Sequence, residues 1–208
     1  GVEPDYVAVH SLGEYSALCA AGVFDPETAV ALAAFRGQAM ARAVTGRTFR
    51  MAAVLGLGRE ALQSAVKAAG DEGVVQIANY NCPDQMVIAG DARAVDRACL
   101  LAKEAGAKRC LPLRVLGPFH TSLMAPAGDA LREKLQTVRL NPMRFPVYFN
   151  CLGGPMGEKD TIPALLERQV QSSVYMEDIL RRLERDGMDT LLEIGPGRVV
   201  TGFVKKTV

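Results

Sequence analysis

The chain has 208 residues, 49% hydrophobic and 23% charged, with a net charge of +1. These values suit a globular protein with one large domain, or one domain carrying a smaller inserted unit. They give no electrostatic reason to expect a nucleic acid or a membrane as partner, and no apolar run approaches the roughly 18–20 residues of a membrane span.

Tyr6–Val9 reads as a short buried strand and Tyr15–Ala21 as a helix, with Ser11 at the junction in Val9-His10-Ser11-Leu12-Gly13-Glu14. A serine on a sharp strand-to-helix turn exposes its hydroxyl, and the next backbone N–H can face a developing oxyanion. The usual elbow is G-x-S-x-G; here Val9 replaces the first glycine. Asp25 is a plausible N-cap with Pro26 at the first helical position. That second helix runs to about Val44 and stops before Gly46.

Residues 48–112 carry their own pattern. Met51–Leu57 reads as a strand, Arg59–Ala69 as a helix and Val74–Tyr80 as a strand. After a turn at 81–84, Gln85–Ala89 reads as a strand, Asp91–Ala105 as a helix and Lys108–Leu113 as a strand. The order β-α-β-β-α-β is that of a ferredoxin-like unit. Beyond it, Ser122–Val138 reads as a helix, Phe145–Asn150 as a strand and Leu152–Lys159 as a glycine-rich loop. Ile162–Gln171 and Met176–Asp186 read as helices, Thr190–Ile194 as a strand, and a last helix starts at Arg198. The expected fold is α/β: a hydrolase-like, mainly parallel sheet with helices on both faces (1–47 and 113–208), plus an inserted ferredoxin-like α+β subdomain (48–112). Only 6–10, 145–150 and 190–194 remain as strands of the main sheet. The protein is therefore expected to own an N-terminal segment that this sequence lacks.

Five cysteines, Cys19, Cys82, Cys99, Cys110 and Cys151, are odd in number, widely spaced and without a C-x-x-C pair. Free thiols in a reducing cytoplasm are the natural reading. No metal is expected, because only His10 and His120 could act as imidazole ligands.

A serine hydroxyl needs a base. His10 adjoins Ser11, and on an extended strand it points to the opposite side. His120, in the loop Leu116-Gly117-Pro118-Phe119-His120-Thr121-Ser122, is the better candidate, since α/β sites sit on loops beyond strand ends. A hydrogen-bonded histidine without chemical duty is the competing reading. Arg36 follows the apolar stretch Val30–Phe35. It is either a snorkelling or ion-paired arginine or a fork for a substrate carboxylate. Gly56-Leu57-Gly58-Arg59-Glu60-Ala61 imitates a dinucleotide fingerprint, but no acidic residue ends a second strand about 20 residues on. Gly195-Pro196-Gly197 reads as a tight turn.

Taken together, five segments resemble the malonyl-CoA:acyl carrier protein transacylase family, close to the acyltransferase domains of polyketide and fatty acid synthases. They are His10–Leu18, Phe35-Arg36-Gly37 with Met40, Asn79–Gln85, Gly117–Met124 and Glu193–Gly197. The resemblance runs in order along essentially the whole chain. It implies malonyl transfer from malonyl-CoA to the phosphopantetheine thiol of acyl carrier protein through a malonyl-serine ester. It assigns Ser11 as nucleophile, His120 as base and the Gln169 carbonyl, beside Arg168, as the group orienting the base. Leu12 would supply an oxyanion N–H. Arg36 would hold the malonyl carboxylate, Phe119 would favour an unbranched malonyl unit, and Met40 would line the substrate site. It implies no cofactor beyond malonyl-CoA as substrate, no nucleic acid and no membrane.

The chain departs from the family at two points. Val9 stands where the family has glycine, and overpacking of that gap typically costs about 1–3 kcal/mol. The family's N-terminal G-Q-G motif, with a second oxyanion donor, is absent. A serine esterase or thioesterase, and an inactive fragment that still binds a carrier protein, remain as alternative readings.

Overall fold

A computed structural model describes residues 3–208. Two sheets organise them. The first takes β1 (Val7–Ala8), β6 (Val147–Phe149) and β7 (Gly154–Pro155) in that order. β1 pairs with β6 in parallel, and β6 with β7 in antiparallel. The second sheet takes β2 (Phe49–Leu55), β3 (Val75–Cys82), β4 (Gln85–Asp91), β5 (Arg109–Pro112) and β8 (Val174–Tyr175). Its order is β5-β2-β4-β3-β8. All its pairings are antiparallel except β3 with β8.

Helices α1 (Gly13–Ala20), α2 (Pro26–Ala43), α5 (Ala125–Leu135) and α6 (Ile162–Gln171) accompany the first sheet. Their apolar faces meet β6 in one core that includes Leu18, Leu32, Leu131, Phe149 and Leu166. Helices α3 (Arg59–Ala68) and α4 (Ala92–Glu104) cover one face of the second sheet. Leu62, Ile88, Val95 and Ala98 are wholly buried there. Ala94 and Ala102 of α4 are wholly buried in the same layer. The elements α7 (Met176–Arg185) and α8 (Val199–Thr207) close a smaller cluster with Cys82, Val174 and Phe203.

Local chemistry explains several boundaries. Asp25 caps α2 by accepting from the Thr28 N–H at 2.7 Å, with Pro26 in the first turn. At Gly56, φ is +71° and an added Cβ would lie 2.6 Å from the Lys108 side chain, so the β2–α3 turn demands glycine.

The strand expected at 190–194 does not form. A strand needs a partner ladder, and this stretch makes none, leaving Leu192 and Ile194 69% and 89% exposed. Glu193 instead caps α8, accepting from the Val200 and Thr201 N–H groups at 3.0 and 2.9 Å. Two other boundaries differ. A short 3-10 turn over Ser122–Met124 precedes α5, and β7 lies inside the expected loop 152–159. No helix among the described residues is long and apolar enough to cross a membrane.

Candidate active site

The parallel pair β1–β6 sets the site's position. Both strands end at the same edge, with Ser11 just beyond one and Asn150 just beyond the other. Ser11 takes φ +51°, a left-handed conformation that serine seldom adopts. The chain enters α1 at once: Gly13, Glu14 and Tyr15 donate to the carbonyls of His10, Ser11 and Leu12. Leu12 is the N-cap of α1, so its N–H lies at the positive end of the helix dipole.

The replacement at Val9 is accommodated by the second glycine of the elbow. A Cβ added at Gly13 would stand 2.8 Å from the Val9 Cβ, closer than such atoms tolerate. The valine therefore occupies space that Gly13 vacates. We expect Gly13→Ala to lower stability by about 1–3 kcal/mol, read as a shifted denaturation midpoint. Adding Val9→Gly should recover most of that loss; additive effects of the two changes would contradict the contact.

His120 lies in the loop between β5 and α5, itself at φ +62° and only 5% exposed. Its Nε2 stands 2.7 Å from the Ser11 Oγ. Its Nδ1 stands 2.9 Å from the Gln169 carbonyl on α6. A carbonyl only accepts, so Nδ1 carries the proton and Nε2 presents its lone pair to the serine hydroxyl. Burial pulls the His120 pKa down to about 3, against the opposing pull of the Gln169 carbonyl, and the Arg36 charge lowers it further. The imidazole is thus a neutral acceptor at neutral pH.

Arg36, midway along α2, is buried. Its Nη2 donates to the Ser11 Oγ at 2.9 Å and to the Gln169 Oε1 at 3.1 Å. Its Nε is buried without a partner. Desolvation lowers the guanidinium pKa from its ordinary value, against the opposing pull of Tyr15 and Glu14. Burial raises the Glu14 pKa to about 8, despite hydrogen bonding at Asn150 and the nearby Arg36. Arg36 thus spends its Nη2 on neutral oxygens and leaves its Nε unpaired, and a buried cation with no carboxylate in contact is costly unless an anion enters.

Gln169 adds a second bond, its Nε2 donating to the Ser11 carbonyl at 2.6 Å. Phe119, next to His120, is half-buried and touches both the main core and a cluster of Met51, Ala78, Val87 and Ala89. Met40 lies one turn beyond Arg36 on the same helix face and is buried in the main core. So Ser11, His120, Gln169 and Arg36 converge on one point. Leu12 borders it, Phe119 adjoins it, and Met40 packs in the main core. His10 turns away: its Nε2 pairs with the Asn81 Oδ1 at 2.9 Å and its ring tilts against Phe203. No group of three or more His, Cys, Asp or Glu side chains able to hold a metal occurs among the described residues.

Sequence reasoning passed over Asn150 and Glu14. Asn150 was legible as a polar residue ending a buried strand at the site edge. Glu14 was legible as an acid in the first turn of an otherwise apolar helix.

Comparison with known proteins matches residues 1–208 to the family described as "Acyl transferase domain". A malonyl CoA-acyl carrier protein transacylase of Bacillus subtilis (strain 168) is 45% identical over 207 residues, 99% of this chain and 65% of that protein. The crystal structure of an acyl-carrier-protein S-malonyltransferase from Burkholderia pseudomallei 1710b superposes with a TM-score of 0.96 at 40% identity, covering 100% of this chain and 68% of that one. A malonyl-transacylase solved in complex with its type II PKS acyl-carrier protein gives a TM-score of 0.96 at 41% identity, covering 100% and 67%. The chain thus spans about two thirds of the length of the relatives it matches.

Proposed function

Since the chain belongs to the acyl transferase domain family, we propose that it transfers a malonyl group from malonyl-CoA to the phosphopantetheine thiol of an acyl carrier protein through a malonyl ester on Ser11. The observation that carries this reading is Arg36: a buried cation with an unpartnered Nε whose Nη2 sits 2.9 Å from the Ser11 hydroxyl. A plain esterase has no use for such a group. A malonyl thioester brings a carboxylate a few bonds from the reacting carbonyl, and a guanidinium fork binds it in two hydrogen bonds.

The proposed chemistry follows from the geometry. Substrate carboxylate displaces the Ser11 hydroxyl from Arg36. Neutral His120 Nε2 takes the Ser11 proton as Oγ attacks the thioester carbonyl. The Leu12 N–H supports the tetrahedral oxyanion. Collapse expels CoA thiolate, which receives the proton from His120. The carrier thiol then attacks the serine ester by the same steps in reverse. Gln169 replaces the carboxylate of a triad with a main-chain carbonyl that orients the imidazole. Phe119 beside His120 would narrow the pocket against a branched acyl unit, a discrimination worth about 1–3 kcal/mol. Met40 would form apolar wall behind Arg36. No cofactor takes part in this scheme.

The same reading treats 1–47 and 113–208 as a hydrolase-like core and 48–112 as an inserted ferredoxin-like subdomain; the strand order β5-β2-β4-β3 supports it. Five free cysteines suit a cytoplasmic enzyme.

Intact mass spectrometry after incubation with malonyl-CoA tests the proposal. One malonyl adduct is expected, mapping to Ser11 and lost on adding holo acyl carrier protein as that protein gains it. An unmodified chain, or an adduct surviving Ser11→Ala, refutes it.

A further inference from the structure

We propose that Asn150 and Glu14 are positioning residues for the Ser11 elbow, with the Asn150 amide clasping Val9 and Ser11 and Glu14 holding Asn150 in place. This rests on the reading of Ser11 as the nucleophile. The Asn150 side chain accepts from the Ser11 N–H at 2.5 Å through Oδ1 and donates to the Val9 carbonyl at 2.6 Å through Nδ2. One amide therefore spans Val9, His10 and Ser11, the three residues that lead into the strained turn. Its orientation is dictated by pairing, because the reverse would set donor against donor and acceptor against acceptor.

Asn150 is itself immobilised. It is completely buried. Its N–H donates to the Glu14 Oε1 at 2.6 Å, and its carbonyl accepts from the Tyr175 N–H at 3.0 Å. Glu14 sits in the first turn of α1, three residues past Ser11, and is also completely buried. A residue beyond β6 is thereby tied to both sides of the turn that leaves β1. Glu14 Oε2 has no partner, so structural satisfaction alone does not explain the acid.

The arrangement resists the relaxation of Ser11 toward ordinary backbone angles, which would swing Oγ away from His120. Strained residues of this kind persist only where surrounding bonds over-determine them.

The test is the rate at which Ser11 of the full chain reacts with a fluorophosphonate, measured over a range of probe concentrations. In this reaction the Oγ–P bond forms, P–F breaks, and fluoride leaves with the serine proton passing to His120. The probe needs no malonyl group, so its outcome is separate from that of malonyl loading. Asn150→Ala should lower the limiting labelling rate at least tenfold while leaving the half-saturating probe concentration unchanged. Glu14→Gln, which keeps the acceptor for the Asn150 N–H, should retain most of the rate; Glu14→Leu, which does not, should lose it. Asn150→Ala labelling at the unaltered rate overturns the proposal. Should that variant fail to fold, equal rates for Glu14→Gln and Glu14→Leu overturn it instead. If the unaltered chain takes no label, the nucleophile assignment falls and this inference with it. If it labels but malonyl-CoA leaves no ester, only the substrate reading falls.

Discussion

Replacing His120 with alanine is expected to slow acylation of Ser11 by malonyl-CoA about 10²–10⁴-fold, the range usual for loss of a positioned general base. The His120 Nε2 is 2.7 Å from the serine hydroxyl and its other nitrogen is committed to the Gln169 carbonyl at 2.9 Å. No second base competes, since His10 is engaged with Asn81. Single-turnover quench measurements would show the effect, and equal rates in both proteins would remove His120 from the reaction. Because burial holds the imidazole pKa down to about 3, the unaltered rate should stay flat as pH falls to about 5, well below an ordinary histidine pKa. A limb near 6.5, the ordinary value, would contradict that burial. Stability follows the same linkage. The unfolded chain binds the proton first, so the contribution is complete above about 6.5 and is lost as pH falls from there toward 3. His120→Ala should be less sensitive to acid across that window.

Arg36→Ala is expected to lower kcat/KM for malonyl-CoA about 10²–10³-fold, the equivalent of losing a buried charge pair of about 3–4 kcal/mol. Acetyl-CoA, which offers no carboxylate, should lose less than about tenfold, or gain relative to malonyl-CoA. The difference between the two thioesters is the diagnostic quantity, because both need the same nucleophile and base. Arg36 also touches the Ser11 Oγ and the Gln169 Oε1, so some loss common to both substrates is expected. An equal fall for both would reduce Arg36 to a scaffold. Arg36→Lys should recover little, since a point charge cannot reproduce the two-pronged geometry of the fork.

Much of this was legible in the residues because the signals are local. Ser11 stands out where a buried strand turns into an apolar helix. Asp25-Pro26 announces α2 through capping chemistry alone. The alternation of strands and helices between 49 and 112 carries its own period, and β2 to β5 of the second sheet come from that stretch, while its edge strand β8 comes from Val174–Tyr175. Thr190–Ile194 shows where local signals fail. It has the composition of a strand, but strands exist only as pairs, and this segment finds no ladder. Val9 is a second case. Read alone it is an overpacked elbow, yet the structure sets it against the bare α-carbon of Gly13.

Ser11, His120 and Arg36 were therefore open to selection as candidates from residue type and from strand and helix boundaries, while their roles came only with the family resemblance. Their meeting was not, because it joins positions up to 109 residues apart through the parallel pairing of β1 with β6 and the packing of α2 and α6 behind it. Only that packing decided the remaining features: which histidine nitrogen carries the proton, that Glu14 is buried against Asn150, that the Arg36 Nε is left unpaired, and that Asn150 bonds the turn at Val9 and Ser11. Each depends on burial and on hydrogen-bond distances of about 3 Å, quantities that arise only when distant segments exclude water from a shared space.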